Sequence, residues 1–112
     1  MDIKTIENTV KIENPGGEET VYEFYKSEGL GFAVARLSGK SLSHKHPFEE
    51  LYYFTKGDGI LYIGDEQQAV KEGMFIPIPQ DVYHHLEVGK EDLELVVVTH
   101  PSYDPDLVVY ED

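Results

Sequence analysis

The sequence predicts an all-β protein, a sandwich or barrel of short strands, and three observations carry that prediction. Apolar and aromatic residues gather in short runs, such as Gly31 to Leu37 and Leu93 to Thr99, whose length and composition suit strands. Glycine, proline and aspartate punctuate the runs, as in Gly57-Asp58-Gly59, Gly64-Asp65-Glu66 and the segment from Pro101 to Pro105, and these residues favour turns. No stretch holds a helical period over the length of a convincing helix. The 112 residues suffice for one domain with a real core, spanning 1 to 112, and not for a second.

The elements follow in order. Ile3, Ile6, Val10 and Ile12 form a weak pattern over residues 3 to 12, read as a turn and then a strand. Asn14-Pro15-Gly16-Gly17 is a turn. Strands are expected from Val21 to Lys26 and from Gly31 to Leu37, then over 42–46 and 50–55. Gly57-Asp58-Gly59 reads as a tight turn into Ile60-Leu61-Tyr62-Ile63, and Gly64-Asp65-Glu66 as another. Gln68 to Val70, Phe75 to Ile78 and His84 to Val88 are short strands. Leu93 to Thr99 is the most apolar run and ends at Pro101 and Pro105, and Leu107 to Tyr110 forms a terminal strand. No internal repeat, low-complexity segment or linker interrupts this order.

The chemistry concentrates in residues 39 to 57 and 73 to 88. His44 and His46 stand two apart, so in a strand both leave the same face. Glu50 shares their parity, but a straight strand would carry it about 20 Å from His44 at roughly 3.3 Å per residue. Bonds to a metal are only about 2 Å long, so the chain must turn between them. Pro47, which cannot donate to a ladder, marks the break. His84, in the second stretch, is the candidate fourth ligand.

Together the two stretches resemble the paired motifs of the cupin family. The first motif runs Gly, five residues, His-x-His, three or four residues, Glu, six residues, Gly; His44, His46, Glu50 and Gly57 fit it, and Gly39 lies one residue closer than the pattern asks. The second runs Gly, five residues, Pro-x-Gly, two residues, His, three residues, Asn; Gly73, Pro79 and His84 fit it, while Asp81 replaces the glycine and Val88 the asparagine. Neither departure touches a ligand, and aspartate tolerates turn conformations. Both motifs in order carry far more weight than a lone His-x-His. The resemblance implies a double-stranded β-helix, a small jelly-roll barrel with a metal inside its open end. It also implies one divalent transition metal per chain, held by His44, His46, Glu50 and His84. Three imidazoles and a carboxylate suit iron, manganese, nickel, cobalt, copper or zinc, and ligand type does not choose among them. Four protein ligands leave two open positions on an octahedral ion.

Other residues carry two readings each. Arg36, the sole arginine, shares a face with Phe32 and Val34. If that face is interior, it can hold a substrate carboxylate or phosphate bidentately; the alternative is a surface salt bridge. Tyr52 has the parity of Glu50 and faces the pocket as a candidate catalytic hydroxyl, while Tyr53 faces away. Phe48 packs near the pocket mouth, and Tyr62 and Tyr83 are pocket residues or core filler, with filler favoured. His85 points away from His84 into a surface or packing role. His100 is either a residue at the barrel rim or a substrate contact.

Composition bounds the function. With no cysteine, disulfides, zinc thiolates and cysteine nucleophiles are excluded. The formal charge of −13 repels nucleic acid and anionic membranes, so neither is an expected partner. No apolar stretch approaches membrane-spanning length and Met1-Asp2-Ile3-Lys4 does not begin a signal peptide, which makes a cytoplasmic location the expectation. Three classes of function remain: a metal-dependent enzyme (an isomerase, dioxygenase, lyase or decarboxylase) on a small oxygen-rich substrate, a non-catalytic sensor for a sugar or carboxylate, and a structural or storage role. The tail His100-Pro101-Ser102-Tyr103-Asp104-Pro105-Asp106 looks like that of small cupins grouped with mannose-6-phosphate isomerases, a lean towards sugars. The resemblance also implies a homodimer, with terminal strands at 3–12 or 107–110 adding to a neighbour's sheet.

Overall fold

The computed structural model describes residues 1–13 and 18–112, so the expected turn at Asn14-Pro15-Gly16-Gly17 lies outside the described residues. Eleven strands run in order: β1 (Val10–Glu13), β2 (Glu19–Lys26), β3 (Gly31–Leu37), β4 (His44–Lys45), β5 (Glu49–Lys56), β6 (Asp58–Ile63), β7 (Glu66–Lys71), β8 (Phe75–Ile78), β9 (His84–Val88), β10 (Leu93–His100) and β11 (Val109–Tyr110). Among the described residues the only helical elements are single 3-10 turns at Ile6–Asn8 and Pro105–Leu107. No helix of these residues is long and apolar enough to cross a membrane.

The strands form two antiparallel sheets. One has the order β1-β2-β3-β10-β5-β8 and the other β11-β4-β9-β6-β7. Their inner faces meet over a core of Leu37, Phe54, Leu61, Ile78, Leu86, Leu93 and Leu95, each at most 2% exposed. Alternation sets this arrangement: along β10, Leu93, Leu95, Val97 and Thr99 turn inward while Glu94, Val96, Val98 and His100 turn outward. The result is the closed two-sheet jelly roll that the strand pattern predicts.

Three expectations change in detail. Gly57-Asp58-Gly59 does not close a hairpin, because β5 and β6 belong to different sheets. Gly57, at φ 83°, instead swings the chain across the sandwich, and a Cβ there would collide with the backbone carbonyl of Asp92. The strand expected over 42–46 shrinks to His44–Lys45, since Pro47 and the crossing to the other sheet end the pairing. The strand expected at Leu107 to Tyr110 begins two residues late, because Asp104 caps a 3-10 turn by accepting from the Asp106 amide.

Candidate metal centre and its cavity

Local chain geometry delivers each ligand. In register, His44 of β4 lies directly opposite His84 of β9, which brings their ring centroids to 4.5 Å. His46 follows β4 as the chain leaves that sheet, and Glu50 arrives from β5 in the other. Asp81, where the motif has glycine, adopts φ 59°, the left-handed conformation that aspartate tolerates better than most residues. Its amide donates to the His46 carbonyl at 2.8 Å, pinning the second motif to the first. The ligand atoms of His44, His46, Glu50 and His84 all fall within 4.8 Å of one another.

Hydrogen bonds orient the imidazoles. His44 Nδ1 lies 2.8 Å from the Leu42 carbonyl, His46 Nδ1 3.1 Å from that of Phe48, and His84 Nδ1 2.9 Å from that of Val82. A carbonyl only accepts, so each Nδ1 carries a proton and each ring turns its Nε2 towards the cluster. His46 is further held by Phe48, stacked at 3.9 Å and 5°. His84 Nε2 and His46 Nε2 stand 3.1 and 3.3 Å from one oxygen of Glu50. The 3.3 Å approach lacks hydrogen-bond geometry, leaving His46 Nε2 buried without a hydrogen-bond partner.

With Nδ1 committed to a carbonyl, an Nε2 meets the Glu50 oxygen favourably only by holding a second proton, as in the 3.1 Å hydrogen bond from His84, or through a cation held between them, so this donor set fits a metal ion. Electrostatics agree. Burial opposes the Glu50 charge, but His46 and His84 outweigh it and hold the carboxyl at about 2. Burial, then the proximity of His84, lowers the pKa of His44, which favours the neutral, ligating form.

The cluster opens into a cavity of about 340 Å³, within the range of small-molecule sites. His44 and Glu50 reach it from the cluster, Tyr52 and Thr99 line its wall, and Tyr103 and Tyr110 come from the C-terminal segment. Tyr52 points inward as its parity predicts, 6% exposed and 6.4 Å from His84 between ring centroids. Burial, and next the Glu50 carboxylate, push its phenol well above the usual range.

Arg36 is a correction. Its β3 neighbours Ala35 and Leu37 face the core, so Arg36 points outward, where Nε donates to Glu94 at 2.9 Å and the guanidinium rests over Tyr22. The face it shares with Phe32 and Val34 is the exterior one, and the surface-ion-pair reading is the one realised. His85 also lies outside, stacked on Tyr62 at 4.5 Å. Tyr62 is therefore neither core filler nor a pocket residue; Tyr83, under the Lys45 ammonium, lines no part of the cavity either. His100 is exposed and bonds the Gly29 carbonyl through Nδ1 at 2.8 Å. Phe48 is 2% exposed and packs edge-on to Tyr103. Thr99 and Tyr103 escaped sequence reading. Thr99 carried a usable signal, as the polar member of the inward row Leu93, Leu95, Val97, Thr99; Tyr103 carried none.

Fold and site together define a β-barrel protein with a three-histidine, one-carboxylate cluster at its open end. The chain belongs to the cupin family: the family model described as "Cupin domain" matches residues 34–99. A relative from Methanocaldococcus jannaschii, described as an "Uncharacterized protein", is 33% identical over 78 residues, covering 68% of this chain; the chain spans 62% of that relative's length. Among solved structures, uridine-bound Streptomyces PAC13, a nucleoside dehydratase, superposes with a TM-score of 0.86 at 13% identity, covering 100% of this chain and 92% of the other. The polyketide cyclase RemF of Streptomyces resistomycificus gives 0.83 at 19% identity over 100% and 86%. Oxalate decarboxylase from Bacillus subtilis gives 0.81 at 22% over 96% and 31%. Such identities establish a shared barrel and leave the chemistry open.

Proposed function

We propose that the chain is a metal-dependent enzyme acting on a small oxygen-rich molecule chelated beside the His44, His46, Glu50 and His84 cluster. The observation that carries this reading is the convergence of three imidazoles and one carboxylate within 4.8 Å, with His46 Nε2 buried and unpartnered. A divalent transition metal, when bound, supplies a Lewis acid for negative charge developing on substrate oxygens. The chain's own residues do the rest. The Nδ1 bonds hold three imidazoles in the ligating tautomer. The cavity excludes bulk water around the substrate. Tyr52 keeps its phenolic proton and stands as a hydrogen-bond or proton donor at its Oη, not as a base. Isomerase, lyase and dioxygenase chemistry all remain within this description, as does a sugar-type substrate.

Titration calorimetry with a hydroxy acid, a keto acid and a diol tests the reading. Chelating molecules are expected to bind far better to metal-loaded than to metal-free protein, and turnover is expected to vanish in Glu50→Gln. Equal affinity with and without metal would make the chain a non-catalytic binding module with the metal as a structural clip.

We also read the chain as a cytoplasmic homodimer. The outward face of the six-stranded sheet carries a band of Phe32, Val34, Val96, Val98, Tyr53 and Phe75 across four neighbouring strands, with Tyr53 and Phe75 47% and 57% exposed. This apolar band suits a second copy of itself, related by a two-fold axis, better than strand addition at the termini. Light scattering is expected to give a dimer mass that Tyr53→Glu reduces towards the monomer.

A further inference from the structure

Among the described residues, two buried side-chain polar atoms lack a hydrogen-bond partner: His46 Nε2 and Thr99 Oγ1. The first belongs to the metal cluster. The second does not, yet Thr99 is 3% exposed and lines the same cavity. In register it stands between Gly31 of β3 and Glu50 of β5, one strand away from a cluster ligand. Gly31 leaves the room that the hydroxyl occupies: a Cβ there would lie 2.5 Å from Thr99 Oγ1, closer than such atoms approach. Burying an unpaired hydroxyl is unfavourable, so a native site that keeps one invites a partner from a ligand.

The rest of the wall narrows what that ligand is. Its apolar part includes Ile12, Val21, Ala33, Ala35, Leu42 and Val97. Its charged members, among the described residues, are Glu19, Glu23, Glu50 and Lys26: three carboxylates against one ammonium, and Lys26 lies exposed at the rim. The sole arginine is on the outside of the barrel, paired with Glu94. A divalent ion at the cluster brings this formal charge to about zero and leaves no excess for an anion. Hydroxyl groups supply the remaining polarity, from Tyr52, Tyr103 and Tyr110 beside that of Thr99 on the same wall.

We infer that Thr99 is a ligand-anchoring residue and that the cavity takes an uncharged, compact molecule with an apolar or aromatic body. Two vicinal oxygens of that molecule meet the cluster and a further hydroxyl or carbonyl pairs with Thr99 Oγ1. This rests on the reading of the cluster as the ligand's docking point, and it goes further by excluding free carboxylates and phosphates as the preferred class.

Zinc-loaded protein under argon, titrated calorimetrically with pyrogallol and with its carboxylate-bearing analogue gallate, tests the inference. Pyrogallol is expected to bind at least about tenfold more tightly than gallate, the added charge meeting carboxylates at close range. Thr99→Val is expected to weaken pyrogallol about three- to tenfold. The same substitution should leave the ligand-free melting temperature unchanged or raised, because the hydroxyl it removes is unpaired; a structural hydroxyl would give a fall. Thr99→Ser should keep the wild-type affinity. Unchanged pyrogallol affinity in Thr99→Val, gallate binding as tightly as pyrogallol, or no binding at millimolar pyrogallol each overturns the inference. Metal-free protein is the separate arm. Equal pyrogallol affinity with and without zinc, still weakened by Thr99→Val, upholds the anchor and overturns the metal reading. Zinc-dependent binding indifferent to Thr99 does the reverse.

Discussion

The two ends of the barrel are built from the same three strands and differ in what those strands turn inward. At one end β3, β10 and β5 contribute Ala35, Leu95 and Phe54 in one cross-strand row, all within 1% of full burial. One row along stand Ala33, Val97 and Tyr52, and at the far end Gly31, Thr99 and Glu50. Volume falls and polarity rises row by row, and since β10 runs antiparallel to its neighbours, the chain writes the gradient in opposite directions on adjacent strands. The packed end holds the sheets together and the open end holds the metal-fitting cluster, so substitutions in one should leave the other largely intact.

The largest expected break is at the open end. His84→Ala removes a ligand, and metal affinity should fall by more than about a hundredfold, while the variant unfolds at the temperature of metal-free wild type. Elemental analysis with a melting curve checks both, and unchanged metal content would sink the ligand assignment. At the packed end Phe54→Ala leaves a large cavity and should cost about 3–5 kcal/mol, measured by urea unfolding, with metal content per folded chain unchanged. An acid titration sharpens the contrast further. In metal-free protein the Glu50 carboxyl sits at about 2, below the ordinary 4.5, so its contribution to stability is present above the ordinary value and disappears as pH falls through the folded one. That amounts to as much as about 3 kcal/mol. Wild type should therefore lose stability between those limits more steeply than Glu50→Gln, and parallel acid curves would contradict the charge assignment. The smallest effect is expected outside: Arg36→Ala breaks an exposed ion pair worth at most about 1 kcal/mol and should leave ligand affinity untouched, anionic ligands included.

Much of the open end was legible in the sequence because its spacing is rigid. His46 follows His44 by two positions, and a proline must break the strand before Glu50 can return to them, so short-range geometry groups these three, while His84 joins them through the family resemblance. Strand positions such as Gly31–Leu37, Phe75–Ile78 and His84–Val88 were equally plain, as turn residues bound them tightly. Sheet membership was not. Whether the turn at Gly57 joins paired strands or crosses the sandwich depends on tertiary packing, and so does which parity of β3 is interior. That ambiguity placed Arg36 on two faces at once. Tyr103, three residues past β10, reaches the cavity only because the tail folds back over it, and no local pattern encodes such a return.

The chain's crossing at Pro47 has a mechanical consequence. His44 and His84 hang from one sheet, Glu50 from the other, and His46 from the thread between them. The four donors therefore straddle the seam of the sandwich at its open end. An ion held by all four would act as a clasp across that seam, tying the backbone of both sheets together. Loading should slow hydrogen exchange most in the amides of β4, β9 and the start of β5, and least in β7, which lies at the far edge of its sheet. Under the proposed function, the ion that would draw in a substrate would also set how far the mouth of the barrel can open to admit it.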